Sequence, residues 1–196
     1  MSEAETMSRR SIGAARNPQS EEAILDAATA ILAEAGYARF SIEAVARRAK
    51  AGKPTIYRWW PSKAHLLIDV YKRLKNVLPD PDTGSVHGDI VMFLDNLTAF
   101  WSGSAGDVFR SLLAEAQVDE KAAAALKDYS QDRVEHTSII FERAKARGEV
   151  RQDVDSRAAT HMLSAFAWKL LLTGRLQTSH DEIRSLADIL TRGVLK

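Results

Sequence analysis

The eleven residues from Lys53 to Lys63, KPTIYRWWPSK, set two ammonium groups, a guanidinium, a phenol, hydroxyls and two indole N–H groups on one short segment. These are the donors that phosphate oxygens and base edges accept, and a nucleic acid presents both in a regular array. Covalent chemistry has no comparable set. The sequence contains no G-x-S-x-G, no H-E-x-x-H and no Gly-rich phosphate fingerprint, and it has no cysteine to act as nucleophile or ligand. AGKPT carries a Gly-Lys pair, but it lacks both the Gly five residues before Gly52 and a Ser or Thr directly after Lys53 that a P-loop requires. His65, His87, His136, His161 and His180 are scattered, each suiting a surface or satisfied histidine better than a ligand. The expectation is therefore binding chemistry without an enzyme activity, a cofactor or a metal.

Such donors need a scaffold that aims them outward. Ile42, Val45, Ala46 and Ala49 fall at i, i+3, i+4 and i+7, one apolar face of a short helix whose other face is basic, and Ser41 stands before it as N-cap. Gly52 breaks the pattern, Pro54 suits a first helical turn, and Pro61 ends a second helix running from about Lys53 to Trp60. Only Ile56 and Trp60 of that helix are needed inside, with Tyr57 balanced between core and surface. Two short helices joined by a tight turn form a helix-turn-helix, whose second helix enters the DNA major groove.

The run TIYRWWPSKAHLL resembles the TetR family signature, in which a T-x-Y recognition helix passes through an aromatic-Pro-Ser-Lys junction into the next helix. SIEAVARRAKAGKPT is similar to that family's second helix and turn, and GEVRQDVD, Gly148 to Asp155, to a segment before its last two helices. Trp60 stands where Phe is common. The resemblance implies a homodimeric, all-helical transcriptional repressor whose C-terminal domain binds a small molecule. It puts Lys53, Pro54 and Thr55 at the base-reading end and Tyr57, Arg58, Trp59 and Lys63 on the phosphate backbone, and Ser41 is counted with this DNA-binding set. Arg47 and Arg48 are expected only to solvate the surface.

The formal net charge of +1 conceals a division: residues 1–75 hold 13 Lys and Arg against 8 Asp and Glu, and residues 76–196 hold 14 against 18. Between Arg39 and Lys75 the ratio is 10 to 2. A local basic excess on a helix-turn-helix is the footprint of double-stranded DNA. No apolar run approaches the ~18 residues of a membrane span, and the N-terminus lacks the apolar core of a signal peptide, so the chain is expected to be cytoplasmic without membrane contact.

The expected fold is all-α: a flexible tail over 1–19, a three-helix DNA-binding domain over 20–65, and a larger helical ligand-binding and dimerisation domain over 66–196. The first helix opens at Ser20 and is capped at Gly36; Tyr37 and Phe40 pack on the small domain. A helix from Ser62 to Pro79 rises out of the basic region as a rod into the larger domain. PDPDTGSVHG is a loop and SGSAG, Ser102 to Gly106, a breaker between two further helices. Asp119 caps one long helix reaching Gly148, with Asp132, Arg133, Glu135 and His136 interrupting its apolar period. The wide apolar face after Asp155, together with the final helix, predicts a twofold four-helix interface containing Phe166 and Leu170.

Phe93, Phe100, Trp101, Phe109, Tyr129, Phe141 and Trp168 suit an ordinary core. The family resemblance implies a cavity among them, lined by Phe100, Trp101, Phe109, Tyr129 and Trp168 with Gln117 and His136 as polar groups, for a small apolar or aromatic effector. The competing reading is a helical homo-oligomeric interaction protein without sequence-specific DNA binding; the basic helix-turn-helix discriminates against it.

Overall fold

The computed structural model describes residues 17–75 and 78–194, so the tail expected over 1–19 lies outside it but for its last three residues. Those three already form the start of the first helix, Asn17 as its cap and Pro18 and Gln19 within it. Asn17 Oδ1 accepts from the Gln19 N–H at 3.0 Å and Pro18 fills the first turn, so α1 (Pro18–Ala35) starts two residues before Ser20. After a 3-10 turn (Tyr37–Arg39) come α2 (Ile42–Ala49) and α3 (Lys53–Trp59), then α4 (Lys63–Lys75), α5 (Val86–Trp101) and α6 (Ser104–Glu115). The chain closes with α7 (Glu120–Thr137), α8 (Ile139–Ala146), α9 (Ser156–Leu172) and α10 (His180–Val194). The described residues contain no strand, and no helix among them is long and apolar enough to cross a membrane.

Two hydrophobic cores form, and α4 contributes to both. Leu66, Leu67 and Val70 pack with α1–α3, whereas Ala64, Ile68 and Tyr71 pack with α5–α10. On a helix these sets lie on stripes roughly a third of a turn apart, which lets one rod face two neighbours at once. Val108 of α6 joins the smaller core, and the Tyr37 hydroxyl donates to Glu115 at the end of α6. Tyr37 therefore reaches across the junction rather than packing only on the small domain, while Phe40 is buried there as expected.

Two expected boundaries change. The long helix after Asp119 breaks at Ser138, whose hydroxyl donates back to the Glu135 carbonyl at 2.8 Å while α8 is drawn toward the 80–82 loop by Arg143, bonded to Pro81 and Asp82. Three of the four polar residues that interrupted the apolar period are spent on partners, Asp132 on Lys72, Glu135 on Arg157 and His136 on Asp80, while Arg133 faces the interior between α4 and α5. SGSAG is not a break throughout, because Ser104, Ala105 and Gly106 are already helical. Elsewhere, Asp89 is fully buried yet accepts from the Thr83 N–H and hydroxyl and pairs with Arg147 at 3.3 Å, fastening the start of α5 to the end of α8.

Glycine roles also differ from the sequence reading. The left-handed residue of the α2–α3 turn is Lys50 (φ 50°), whereas Gly52 has φ −74° and merely N-caps α3. Gly106 is needed for close approach, since a Cβ there would lie 1.9 Å from the Trp101 carbonyl oxygen. Gly52→Ser should thus stabilise the chain by roughly 0.5–1 kcal/mol through a better cap and a stiffer unfolded chain. Gly106→Ala should cost about 1–3 kcal/mol by overpacking the α5–α6 corner. Urea unfolding of both variants checks this, and the opposite ordering would contradict the turn geometry.

Candidate nucleic-acid interface and internal cavity

The α2–α3 surface is assembled by burying very little of α3. Ile56 is its one fully buried residue, and Trp60, the residue after it, is inserted into the core with its indole N–H donating to Asp69 at 2.7 Å. Everything else on the helix can then face outward. Lys53, Pro54, Tyr57 and Arg58 are exposed, Tyr57 by 47%, and Thr55 is half-buried. Tyr57 thereby resolves to the surface. Trp59 does not project freely: it is half-buried, edge-on to Trp60 at 5.9 Å, with the Arg58 guanidinium 5.7 Å from its ring. The Ser41 hydroxyl accepts from the Ala44 N–H at 3.1 Å as the cap of α2, so its oxygen is already engaged.

Ion pairing sorts the cations of this face. Arg48 is held bidentately by Glu34, and Lys53 meets Glu43 at 3.2 Å. Arg47, Lys50 and Arg58 make no ion pair among the described residues, which leaves three full positive charges on the exposed surface. Arg47 and Lys50 were not singled out by the sequence reading as DNA contacts. Their signal was available in the basic face of α2, but charge alone does not separate a paired arginine such as Arg48 from an unpaired one such as Arg47.

Lys63 sits differently from expectation. Its ammonium lies 3.1 Å from Glu115 and 4.6 Å from the Tyr37 ring centroid, at the junction of the two cores. Burial works against its charge, but hydrogen bonding to Tyr37 and Glu115 outweighs that and raises its pKa; burial, with the bond to Glu115, likewise raises that of Tyr37.

The second feature is a cavity of about 210 Å3, open on one side, between α4, α5, α6, α7 and α9. Trp101, Phe109, Tyr129 and Trp168 line it, four of the seven residues expected there. Phe109 organises them, stacking on Trp101 at 5.6 Å and on Tyr71 at 4.8 Å, while the Trp101 indole N–H donates to the Tyr71 hydroxyl at 2.6 Å. Phe100 lies outside the lining, edge-on to Tyr71; Gln117 bonds back to the Leu113 carbonyl at 3.3 Å; His136 lines an adjoining cavity and meets Asp80 at 2.8 Å. Phe100 precedes Trp101 by one residue, about 100° around α5, which turns it off the stripe of Phe93, Leu97 and Trp101 that lines the cavity. The residues missed by sequence reasoning are Lys75, Arg133, His161 and Ser164, which supply polar groups in the wall.

Comparison with known proteins follows this division. The model for bacterial regulatory proteins of the tetR family matches residues 24–70, and that for a Tetracyclin repressor-like C-terminal domain matches residues 80–190. The chain is 32% identical over 185 residues to the HTH-type transcriptional regulator YdeS of Bacillus subtilis (strain 168), covering 93% of each. It is 33% identical over 143 residues to the HTH-type transcriptional regulator AqdR of Rhodococcus erythropolis, covering 72% of this chain and 69% of that one. Among solved structures, the TetR family transcription regulator SCO0332 superposes with a TM-score of 0.78 at 28% identity, over 91% of this chain and 100% of the other.

If Arg47 and Arg58 meet phosphates, changing either to Ala should lower the salt dependence of DNA binding by about one unit of slope on any sequence. Glu115→Gln frees the Lys63 charge while keeping an acceptor for Tyr37, and should tighten binding to operator and random DNA alike by a few-fold. Fluorescence anisotropy titrations across salt concentrations check both. Weaker binding by Glu115→Gln would mean that the acid positions Lys63 for DNA rather than competing with DNA for it.

Proposed function

The chain belongs to the TetR family of bacterial regulatory proteins and is a DNA-binding transcriptional repressor, and from that premise we propose that it binds a near-palindromic operator as a homodimer and that a small molecule in the aromatic cavity changes its operator affinity. The observation that carries this reading is the double membership of α4. Lys63 at its start adjoins the DNA-reading unit and Lys75 at its end lines the cavity, twelve residues or about 18 Å of helix apart. A shift of α4 caused by a bound molecule is therefore felt by α3 without any intermediate flexible joint. The division of labour near residues 65 and 66 is then functional, with α4 common to both parts.

In this reading Lys53, Pro54 and Thr55 meet base edges, and Tyr57, Arg58, Arg47 and Lys50 meet the phosphate backbone. Ser41 and Trp59 act from the margin, one capping α2 and one bracing Arg58. Lys63 joins the phosphate contacts on release from Glu115. A helical protein built for assembly alone would have no use for a helix that buries only Ile56 and exposes its cations.

The partner surface needs correction. Leu170 is fully buried within the chain itself, with Ala159, Leu163, Ala167 and Leu171 on the same inward side of α9, so a charge there would disrupt the monomer. Among the described residues the large apolar side chains exposed on α9 and α10 are Met162 (63% exposed), Leu172 (59%) and Ile189 (64%), with Phe166 half-buried. These support a twofold face better than Leu170 does.

Footprinting on DNA flanking the protein's own coding region should reveal protection over two half-sites whose centres are about 34–36 Å, or a multiple of that, apart. Thr55→Ala should relax preference at one position in each half-site with little change on random DNA. Met162→Asp should give monomers by sedimentation and lose the footprint while melting as a folded helical protein. An intact dimer carrying Met162→Asp would remove this face from the interface, and uniform protection without half-sites would defeat the operator reading.

A further inference from the structure

The cavity wall is uneven in charge. Its aromatic part is formed by Trp101, Phe109 and Trp168, while Lys75 and Arg133 lie where it meets the adjoining cavity and line both. Neither cation has a hydrogen bond or ion pair among the described residues. Arg133 Nε is a buried donor with no acceptor, and so is Asn96 Nδ2, in the wall of the adjoining cavity. Among the described residues Asp80 is the single carboxylate in either wall, and it is taken by His136 at 2.8 Å. Native proteins rarely leave two neighbouring cations and a buried amide donor unanswered, because each group has lost water and gained nothing for it. The arrangement lacks one component, a compact anion.

We propose that the effector is an amphipathic organic anion: a carboxylate seated among Lys75, Arg133 and Asn96, carried on an apolar body that lies against Trp101, Phe109 and Trp168. This rests on the reading of the cavity as the effector site and adds a charge to the apolar or aromatic molecule expected from the aromatics. Arg133 offers the planar fork that a carboxylate matches, and Lys75 a second positive charge on the helix that runs back to Lys63. The anion thereby engages α4 directly instead of merely filling space beside it. Burial, reinforced by the Arg133 charge and opposed by Asp80, brings the Lys75 pKa down to about 7, so that a neighbouring carboxylate would draw a proton onto it. Affinity should then be greatest below pH 7 and fall as pH rises above it. Arg133, Asp80, Tyr129, His136 and His161 also face this region, so the pH effect is read as the difference between wild type and Lys75→Met.

The test uses the full-length protein and matched probes: benzoate, 2-naphthoate, octanoate and decanoate, each beside the alcohol and the amine of the same skeleton. Binding is followed by quenching of Trp101 and Trp168 fluorescence and by thermal shift, and operator affinity is measured with and without each probe. The carboxylates that fit should bind at least about tenfold tighter than their alcohols, as expected for one buried charge-assisted contact or more. Lys75→Met and Arg133→Met should each abolish most of that preference, leave alcohol binding unchanged, and melt at or above the wild-type temperature, since each removes a half-buried cation that has no partner among the described residues. A merely structural lysine or arginine would instead lower the melting temperature. Alcohols or amines binding as tightly as carboxylates, or a preference that survives both substitutions, would overturn the anion while leaving the cavity as an effector site. Carboxylates that bind as described without altering operator affinity would overturn the regulatory reading and keep the anion site. No quenching and no thermal shift from any probe would overturn both.

Discussion

Everything in this protein depends on a helix that cannot leave either of its neighbours. Leu66, Leu67 and Val70 tie α4 to the core beneath α2 and α3, while Ala64, Ile68 and Tyr71 tie it to the core around the cavity. Full burial of a Leu or Val side chain contributes about 1.5–3 kcal/mol, so freeing α4 from either side would sacrifice several such terms at once. Motion of α4 is therefore a change of shape that both units must share. Tyr71 gives this constraint its chemical content, for it stacks on Phe109 and accepts from Trp101 in the same wall that a ligand would touch.

A second link runs beside the first. Phe109 lies in the cavity wall and Glu115 at the end of the same helix, α6, where it holds Lys63 and Tyr37. The two helices thus connect the aromatic cavity to the DNA side along parallel routes, one through packing and one ending in an ion pair. The ion pair is partly exposed and worth little to stability, which suits a contact that is exchanged rather than kept. Packing carries the load, and the pair holds the Lys63 ammonium at the junction of the two cores.

Much of this was legible in the sequence, for reasons that can be traced to particular residues. The 3.6-residue period of Ile42, Val45 and Ala46, the breakers around Pro54 and Pro61, and the scarcity of core residues in α3 fixed the helix-turn-helix and its outward face. Trp101, Phe109, Tyr129 and Trp168 line a cavity that the aromatics alone did not announce, since the same residues suit an ordinary core; the family resemblance supplied the expectation. What escaped depends on contacts distant in sequence. That Arg48 is paired and Arg47 is not is decided by Glu34, fourteen residues away from Arg48. The engagement of Lys63 by Glu115 is of the same kind. The split at Ser138 comes with a hydroxyl back-bond to the carbonyl three residues earlier and the pull of the 80–82 loop, and a polar stretch in an amphipathic helix does not announce either. Leu170 was misassigned because an apolar stripe has the same period whether a neighbouring helix or a second subunit covers it. Lys75 and Arg133 looked like ordinary surface charges until the fold enclosed them.

The central claim is that occupancy of the cavity and occupancy of the DNA-reading face are one equilibrium, transmitted through α4. Linkage makes this measurable without any assumption about pathway: if a ligand changes operator affinity by some factor, operator must change ligand affinity by the same factor. The direct measurement is calorimetric titration of the most tightly bound carboxylate into the free protein and into the protein saturated with operator. A ~100-fold effect on operator binding, about 2.7 kcal/mol of coupling, must reappear as a ~100-fold difference between the two titrations. Equal ligand affinity in the two titrations, from a ligand that fills the cavity, would contradict the account, for α4 would then be a bystander held by two cores that do not communicate.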